Sequence, residues 1–206
     1  MLLAALTCVG AARASEVRVT TLSPLEDVSL PFFCDWGYDW DERCYRDDSA
    51  RLWLGGEPGK VWRSALRFAL GSIPAGAPVV TAELSLWYDG TCVGARKATR
   101  PCDGRGFDVE AHRILTARWF CEREVEIDSV AYHSGLPPAA APQWLTIEVS
   151  DLVADWHDND VPNNGLLLKL GDDEEASGLP GPAFPSSAYP DPALRPRLVV
   201  WWLAGS

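Results

Sequence analysis

The sequence predicts an all-β protein, an antiparallel sandwich or barrel with one short helix. Apolar and polar residues alternate with period two along many short segments, and turns rich in Gly, Pro and Asp separate these segments. The chain has 206 residues, of which 47% are hydrophobic, so it is long enough to bury one sizeable core. We therefore expect residues 15–206 to form a single domain.

Two neighbouring segments carry the clearest alternation. In WRSALRFAL (62–70) the residues expected on one face are Trp62, Ser64, Leu66, Phe68 and Leu70, with Arg63 and Arg67 on the other. In VVTAELSLWY (79–88) the residues expected to face inward are Val80, Ala82, Leu84, Leu86 and Tyr88, and those expected to face outward are Thr81, Glu83, Ser85 and Trp87. The intervening GSIPAGAP predicts a turn.

Shorter segments with strand character follow along the rest of the chain. They are residues 17–21, 51–55, 107–115, 125–132, 144–149, 165–170 and 197–202. In the last of them, Trp201 and Trp202 are adjacent and must point to opposite faces of a sheet. We expect one of these indoles in the core and the other under a neighbouring element.

A short helix is predicted at Asp151–His157. Leu152, Val153 and Trp156 fall on one side at helical spacing, and Ser150 can cap the helix by accepting a backbone N–H bond. The polar run Asp158–Gly165 then ends the helix, since Asn and Gly readily adopt left-handed backbone. This run is explained by a corner of the fold without a metal or catalytic role.

The N-terminus favours export of the protein. Residues 1–14 combine an apolar stretch with the small-x-small triplet Ala12-Arg13-Ala14, which is typical of signal-peptide cleavage, although the usual basic start is missing. The alternative is a buried first strand or helix. No other stretch reaches the roughly 18 apolar residues of a membrane span. We expect a secreted or cell-surface protein.

The cysteines agree with an oxidising compartment. Cys34 with Cys44, and Cys92 with Cys102, each enclose a short turn-rich loop, so two local disulfides are the simplest pairing, and Cys121 is left over. A zinc site is the weaker alternative because no CxxC is present and the histidines lie far from the cysteines in the sequence.

The net charge of −11 excludes two classes of partner. Nucleic acid and anionic membranes would be repelled, since the longest basic neighbourhood, residues 95–100, is too short to outweigh the overall charge.

Four segments together resemble the DNRLRE-domain proteins, also classed as carbohydrate-binding module family 96. They are SALRFALGSIPAGAPVVTAELSLWY, VEAHRILTARW, LTIEVSDLVADWHDNDVPNNGLLLKL and AFPSSAYPDPALRPRLVVWW, and the resemblance covers most of the chain after about Ser23. The resemblance implies a secreted, jelly-roll-like β-sandwich that binds polysaccharide, in some members acidic glycans such as alginate. The loops at 34–44 and 92–102 depart from the family pattern.

Sugar binding requires exposed aromatic rings that stack on pyranose faces, with polar groups that fix the orientation. The foremost candidate is the loop between Cys34 and Cys44, in which Trp36, Tyr38 and Trp40 alternate with Asp39 and Asp41 as hydrogen-bond acceptors. The alternative is that these rings cover the loop's own small core. Trp87 and Trp119 are further candidates.

The charge also bears on the ligand. A neutral glycan avoids the repulsion that a polyanion would meet from a net charge of −11, unless calcium or an arginine groove mediated the contact. Calcium is a candidate structural ion because Asp158, Asp160, Asp172 and Asp173 are expected on loops as oxygen donors, although neither run has the spacing of a recognised calcium loop.

Catalysis is not expected. The sequence contains no HExxH, no G-x-S-x-G, no P-loop and no dinucleotide-binding fingerprint. The two functional hypotheses are therefore a glycan-binding module and a structural or adhesive surface domain with protein partners.

Overall fold

The computed structural model describes residues 15–33, 49–57, 60–93, 99–102, 104–117, 125–136 and 142–205, without the side chains of 31–33, 57 and 60. The strands of these residues are β1 (Glu16–Leu22), β2 (Pro24–Phe33), β3 (Arg51–Glu57), β4 (Lys60–Phe68), β5 (Val79–Tyr88), β6 (Thr91–Val93), β7 (Thr99–Pro101), β8 (Phe107–Ile114), β9 (Ile127–Leu136), β10 (Gln143–Glu148), β11 (Leu166–Leu170), β12 (Pro180–Pro185) and β13 (Arg197–Ala204). The helical elements are α1 (Ser150–His157), α2 (Asp172–Ala176) and a 3₁₀ turn at Pro192–Leu194.

Two antiparallel sheets pack as a sandwich, which confirms the predicted fold class. Within the described residues the smaller sheet has four strands in the order β1-β13-β5-β10. The larger sheet has nine, in the order β7-β6-β12-β3-β4-β11-β8-β9, with β2 also paired to β4. In the β1–β13 ladder, Glu16 lies opposite Ala204 and Leu22 opposite Leu198.

The main core lies between the sheets and follows the predicted alternation. Leu66 and Phe68 of the larger sheet pack with Leu84 and Leu86 of the smaller one, and all four are fully buried. Apolar side chains that leave water in this way supply the main driving force for folding. Residues with the opposite phase, such as Arg63 and Arg67, remain partly exposed on the other face of β4.

Two residues of β5 depart from the predicted pattern. Val80 was expected inside, but it is 50% exposed, because the register between β5 and β13 shifts from Trp201 opposite Thr81 to Trp202 opposite Val79. This bulge makes Val80 the extra residue and turns its side chain outward. Ser85 has the predicted outward phase yet is only 5% exposed, because it lies between Arg197 and Thr146 on the neighbouring strands.

Several strands were not predicted, namely β2, β6, β7 and β12. β2 contains Pro24 and Pro31, and prolines within a run argue against a central strand. Strand β9 begins and ends later than the predicted segment 125–132.

The predicted helix is present, but Ser150 does not cap it. The Ser150 hydroxyl instead accepts a hydrogen bond from the Ala82 N–H at 2.8 Å and donates to the Thr81 hydroxyl at 3.1 Å, which fixes the helix to β5. The buried residues of α1 are the three predicted ones, Leu152, Val153 and Trp156.

A second helix, α2, was not predicted. It contains Asp172 and Asp173, which were expected on a loop, so the prediction of one helix and of loop-borne donors here was wrong. The residues of this run suit a helix because four acidic side chains occupy its first turn, where the helix dipole stabilises negative charge.

The polar run after α1 is the corner that the sequence predicted. Asn159 has a φ of 61° and Gly165 a φ of 93°, both in the left-handed region. The side-chain amide of Asn163 donates to the Phe68 carbonyl at 2.9 Å, and that of Asn164 donates to the Leu115 carbonyl at 3.0 Å. These amides satisfy backbone groups where the chain turns into β11.

No helix among the described residues is long and apolar enough to cross a membrane.

Candidate functional site

Two indoles lie side by side on the outer face of the four-stranded sheet. Trp87 of β5 is directly opposite Trp144 of β10 in the register of the two strands, and both are partly exposed. Their ring centroids are 5.5 Å apart and their planes make an angle of 63°. Edge-to-face pairs of this kind are favourable and hold both rings in a fixed orientation.

Arg197 completes this cluster from the other side of β5. Its guanidinium carbon lies 4.0 Å from the centroid of the Trp144 ring, within the range of a cation–π interaction. Within the described residues the buried Nε of Arg197 has no hydrogen-bond partner, so packing on the indole positions the guanidinium. We call Trp87, Trp144 and Arg197 the aromatic patch.

The aromatic patch combines partly exposed indole surface with a permanent cation and a nearby exposed hydroxyl. The exposed Thr146 lies on the same sheet face as the indoles, in the same row as Arg197 and separated from it by the buried Ser85. Indoles stack on the C–H faces of sugar rings, and guanidinium and hydroxyl groups hydrogen-bond to sugar hydroxyls. The patch therefore has the chemistry of a shallow glycan-binding surface.

The sequence pattern predicts that the Trp87 side chain faces outward, and in the structure it does. Trp144 and Arg197 were not predicted as binding residues. The alternation of Leu145 and Ile147, both buried, was the available signal that Trp144 points outward.

The foremost candidates from the sequence lie outside the described residues. They are Trp36, Tyr38, Asp39, Trp40, Asp41 and Trp119, together with the predicted Cys34–Cys44 pair and Cys121, which that pairing leaves over. Their roles stay predictions.

The second predicted disulfide is present. The sulfur atoms of Cys92 and Cys102 are bonded, and their Cα atoms are 5.0 Å apart. The bond joins β6 to the residue that follows β7, and Cys92 is buried. It therefore links the two strands of the β6–β7 hairpin, which lies at the edge of the nine-stranded sheet where β6 pairs with β12.

The four aspartates proposed as calcium ligands do not come together. Asp158 and Asp160 lie in the exposed turn after α1, while Asp172 pairs with the Lys169 ammonium at 2.6 Å in α2. Asp173 lines a cleft of about 260 Å³ beside α2. Among the described residues the group of three close metal-ligating side chains consists of others, Asp108, Glu110 and His133.

The cleft beside α2 is a second concave feature. Its floor contains Phe107 and Leu170, and its rim contains Arg105, Glu174 and Ser177. Arg105 lies over the Phe107 ring at 5.5 Å and donates to the Pro180 carbonyl at 2.9 Å, so the guanidinium is already held by the protein. This leaves the aromatic patch as the better candidate for contact with a ligand.

A comparison with protein-family models finds no match for the chain, and a comparison with curated proteins finds no relative. The fold and the aromatic patch define the class of the protein, a β-sandwich with an aromatic surface on one sheet.

Proposed function

We propose that this chain is a secreted, non-catalytic glycan-binding module and that the aromatic patch is its contact surface. The observation that carries the proposal is the outward-facing pair of indoles, Trp87 and Trp144, with the Arg197 guanidinium stacked on one of them. The resemblance to the DNRLRE-domain proteins and the Cys92–Cys102 disulfide, a bond typical of exported proteins, support the same proposal.

The charge of the protein favours a neutral polysaccharide as the ligand. A net charge of −11 repels a polyanion at long range, and screening at physiological salt reduces but does not reverse this effect. Arg197 is the cation of the patch and is shared with the Trp144 ring.

Affinity gel electrophoresis on a panel of neutral and acidic polysaccharides tests the proposal. The protein should be retarded by at least one neutral polysaccharide. Removing either ring, in Trp87→Ala or Trp144→Ala, should weaken binding by roughly tenfold, since a stacked aromatic contributes on the order of 1 kcal/mol or more.

Trp201→Ala is the matched control. Trp201 is also partly exposed on the outer face of this sheet, opposite Thr81, which is six residues before Trp87 on β5 and hence roughly 20 Å away. Its removal should leave the retardation unchanged. Equal retardation of the wild type, Trp87→Ala and Trp144→Ala would refute the patch as the contact surface.

The loop between Cys34 and Cys44 is an alternative contact surface for the same function, and the same assay distinguishes it from the aromatic patch. If Trp36→Ala or Trp40→Ala abolishes the retardation while Trp87→Ala preserves it, the glycan contacts the loop and the sheet face is not the site.

A structural or adhesive surface domain is the second candidate function. Val17 and Val19 are 52% and 55% exposed on β1, which is an edge strand within the described residues. An exposed apolar edge is suited to pairing with a strand of another protein. This function predicts no retardation on any polysaccharide, and loss of association with an envelope protein when Val19 is replaced by Lys.

A further inference from the structure

Three metal-ligating side chains meet on the outer face of the nine-stranded sheet. Glu110 of β8 lies directly opposite His133 of β9, and Asp108 is two residues before Glu110 on the same face. The Nδ1 of His133 is 3.4 Å from the Asp108 carboxylate and 3.9 Å from Oε1 of Glu110. One ligand atom from each residue lies within 4.8 Å of the other two.

These separations fit ligands that share one ion. Bonds of about 2.1 Å in tetrahedral geometry place neighbouring ligand atoms roughly 3.4 Å apart. The histidine–carboxylate distances need only small side-chain adjustments to reach that value.

Glu110 is held in position for this role. Its Oε2 atom accepts hydrogen bonds from the Lys169 ammonium and from Nε2 of His112, both at 3.0 Å, so Oε1 is the atom turned toward His133. Partners that orient a ligand from behind are a regular part of metal sites.

Gly171 leaves the space above the two carboxylates open. A Cβ at this position would lie 3.7 Å from the Glu110 carboxylate and 3.9 Å from the Asp108 carboxylate, so any longer side chain would cover them. Asp108 and His133 are 52% and 53% exposed, which leaves the remaining coordination positions accessible.

Negative charge converges at the same place. Glu174 accepts a hydrogen bond from the Asp108 N–H at 3.1 Å, so a third carboxylate adjoins the cluster. A cation relieves the repulsion among such groups.

We propose that Asp108, Glu110 and His133 form a binding site for a divalent transition-metal ion such as Zn²⁺. The imidazole selects against Ca²⁺ and Mg²⁺, which prefer oxygen ligands, and the two carboxylates suit zinc or manganese. The site is separate from the aromatic patch, which lies on the other sheet.

Isothermal titration calorimetry tests this site. The full chain is titrated with Zn²⁺ and, in a second series, with Mn²⁺ and Ca²⁺. The wild type should bind one equivalent of Zn²⁺ through the cluster. Asp108→Asn and His133→Ala should each weaken that binding at least tenfold, while His157→Ala, a histidine on α1, serves as the matched control and should not change it.

Gly171→Leu is a variant that keeps all three ligands and fills the space above them. It should also weaken Zn²⁺ binding, with circular dichroism confirming that it folds. If Gly171→Leu does not fold, Asp108→Asn and His133→Ala decide the question, since both change exposed side chains. No Zn²⁺ binding at about 1 mM would overturn the proposal. Equal affinity of the wild type and His133→Ala would also overturn it, because the ion would then be bound elsewhere on the chain.

Discussion

Gly165, where the corner after α1 enters β11, is a glycine at which a single added methyl group would meet both a left-handed backbone and a steric clash. Its φ is 93°, and a Cβ at this position would lie 2.5 Å from the Leu66 carbonyl oxygen and 3.3 Å from Cβ of Arg67. Leu66 belongs to β4 and pairs with Leu166 of β11, so the obstructing atom is backbone within a central ladder. Gly165→Ala therefore meets both an unfavourable backbone conformation and a steric clash.

The two penalties have separate magnitudes. A left-handed backbone costs a residue with a Cβ about 1–2 kcal/mol. Forcing additional volume into a packed region typically costs about 1–3 kcal/mol. We expect Gly165→Ala to lower the free energy of unfolding by about 2–5 kcal/mol, a large fraction of the total for an ordinary domain.

Two other glycines separate these effects. Gly76 has a φ of 74° with no atom within 4 Å of an added Cβ, so Gly76→Ala measures the backbone penalty alone. Gly71 has equally open space and no left-handed φ, so Gly71→Ala should be neutral or stabilising by about 0.4–1 kcal/mol. Urea unfolding followed by tryptophan fluorescence gives all three values. A loss in Gly165→Ala no larger than that in Gly76→Ala would refute the steric part of the reasoning.

Two further predictions concern covalent and ionic links. Replacing Cys92 and Cys102 by Ser, at a sequence separation of 10, should lower the free energy of unfolding by about 3 kcal/mol from loop entropy, and a loss below about 1 kcal/mol in urea would contradict it. Burial raises the pKa of the Asp89 carboxyl, but hydrogen bonds from Arg51 and Thr91 outweigh burial and lower the pKa below its ordinary range. The ionised carboxylate therefore stabilises the fold above the ordinary pKa of an aspartate and ceases to do so as the pH falls through the lowered pKa, so the stability difference between wild type and Asp89→Asn should shrink in acid; a difference independent of pH would contradict the role of Arg51.

The strands with one buried face were predictable because burial of one face requires apolar and polar residues to alternate with period two in the sequence. Leu66 and Phe68 on β4, and Leu84 and Leu86 on β5, keep that alternation, since each faces the same core along the whole strand. The bulge that exposes Val80 depends on the partner strand, which carries no local signal in β5.

Other features of the fold are not evident from this alternation. β2 was missed because Pro24 and Pro31 are typical of turns and edges. The sequence pattern correctly placed Ser64 in the core but did not show why a serine is buried there. Its buried hydroxyl accepts from the Trp53 N–H and donates to the Trp53 carbonyl, which requires β3 and β4 to be neighbours.

The candidate sites depend on strand order more than on local sequence. Trp87 was predictable as outward, but its pairing with Trp144 requires that β10 lie beside β5. Likewise, Glu110 and His133 are 23 residues apart in the sequence and meet only because of the register between β8 and β9. A single sequence contains the alternation and lacks the register.

The pairing of Glu16 with Ala204 places the two ends of the described fold next to each other at one pole of the small sheet. Trp87 and Trp144 are about nine residues further along the strands, roughly 30 Å away at the opposite pole. Any segment joined at either end would thus leave the domain from the side remote from the indoles. A tether there would hold the aromatic patch away from the point of attachment, and the proximity of the two described ends should allow them to be linked and the chain reopened elsewhere as a circular permutant.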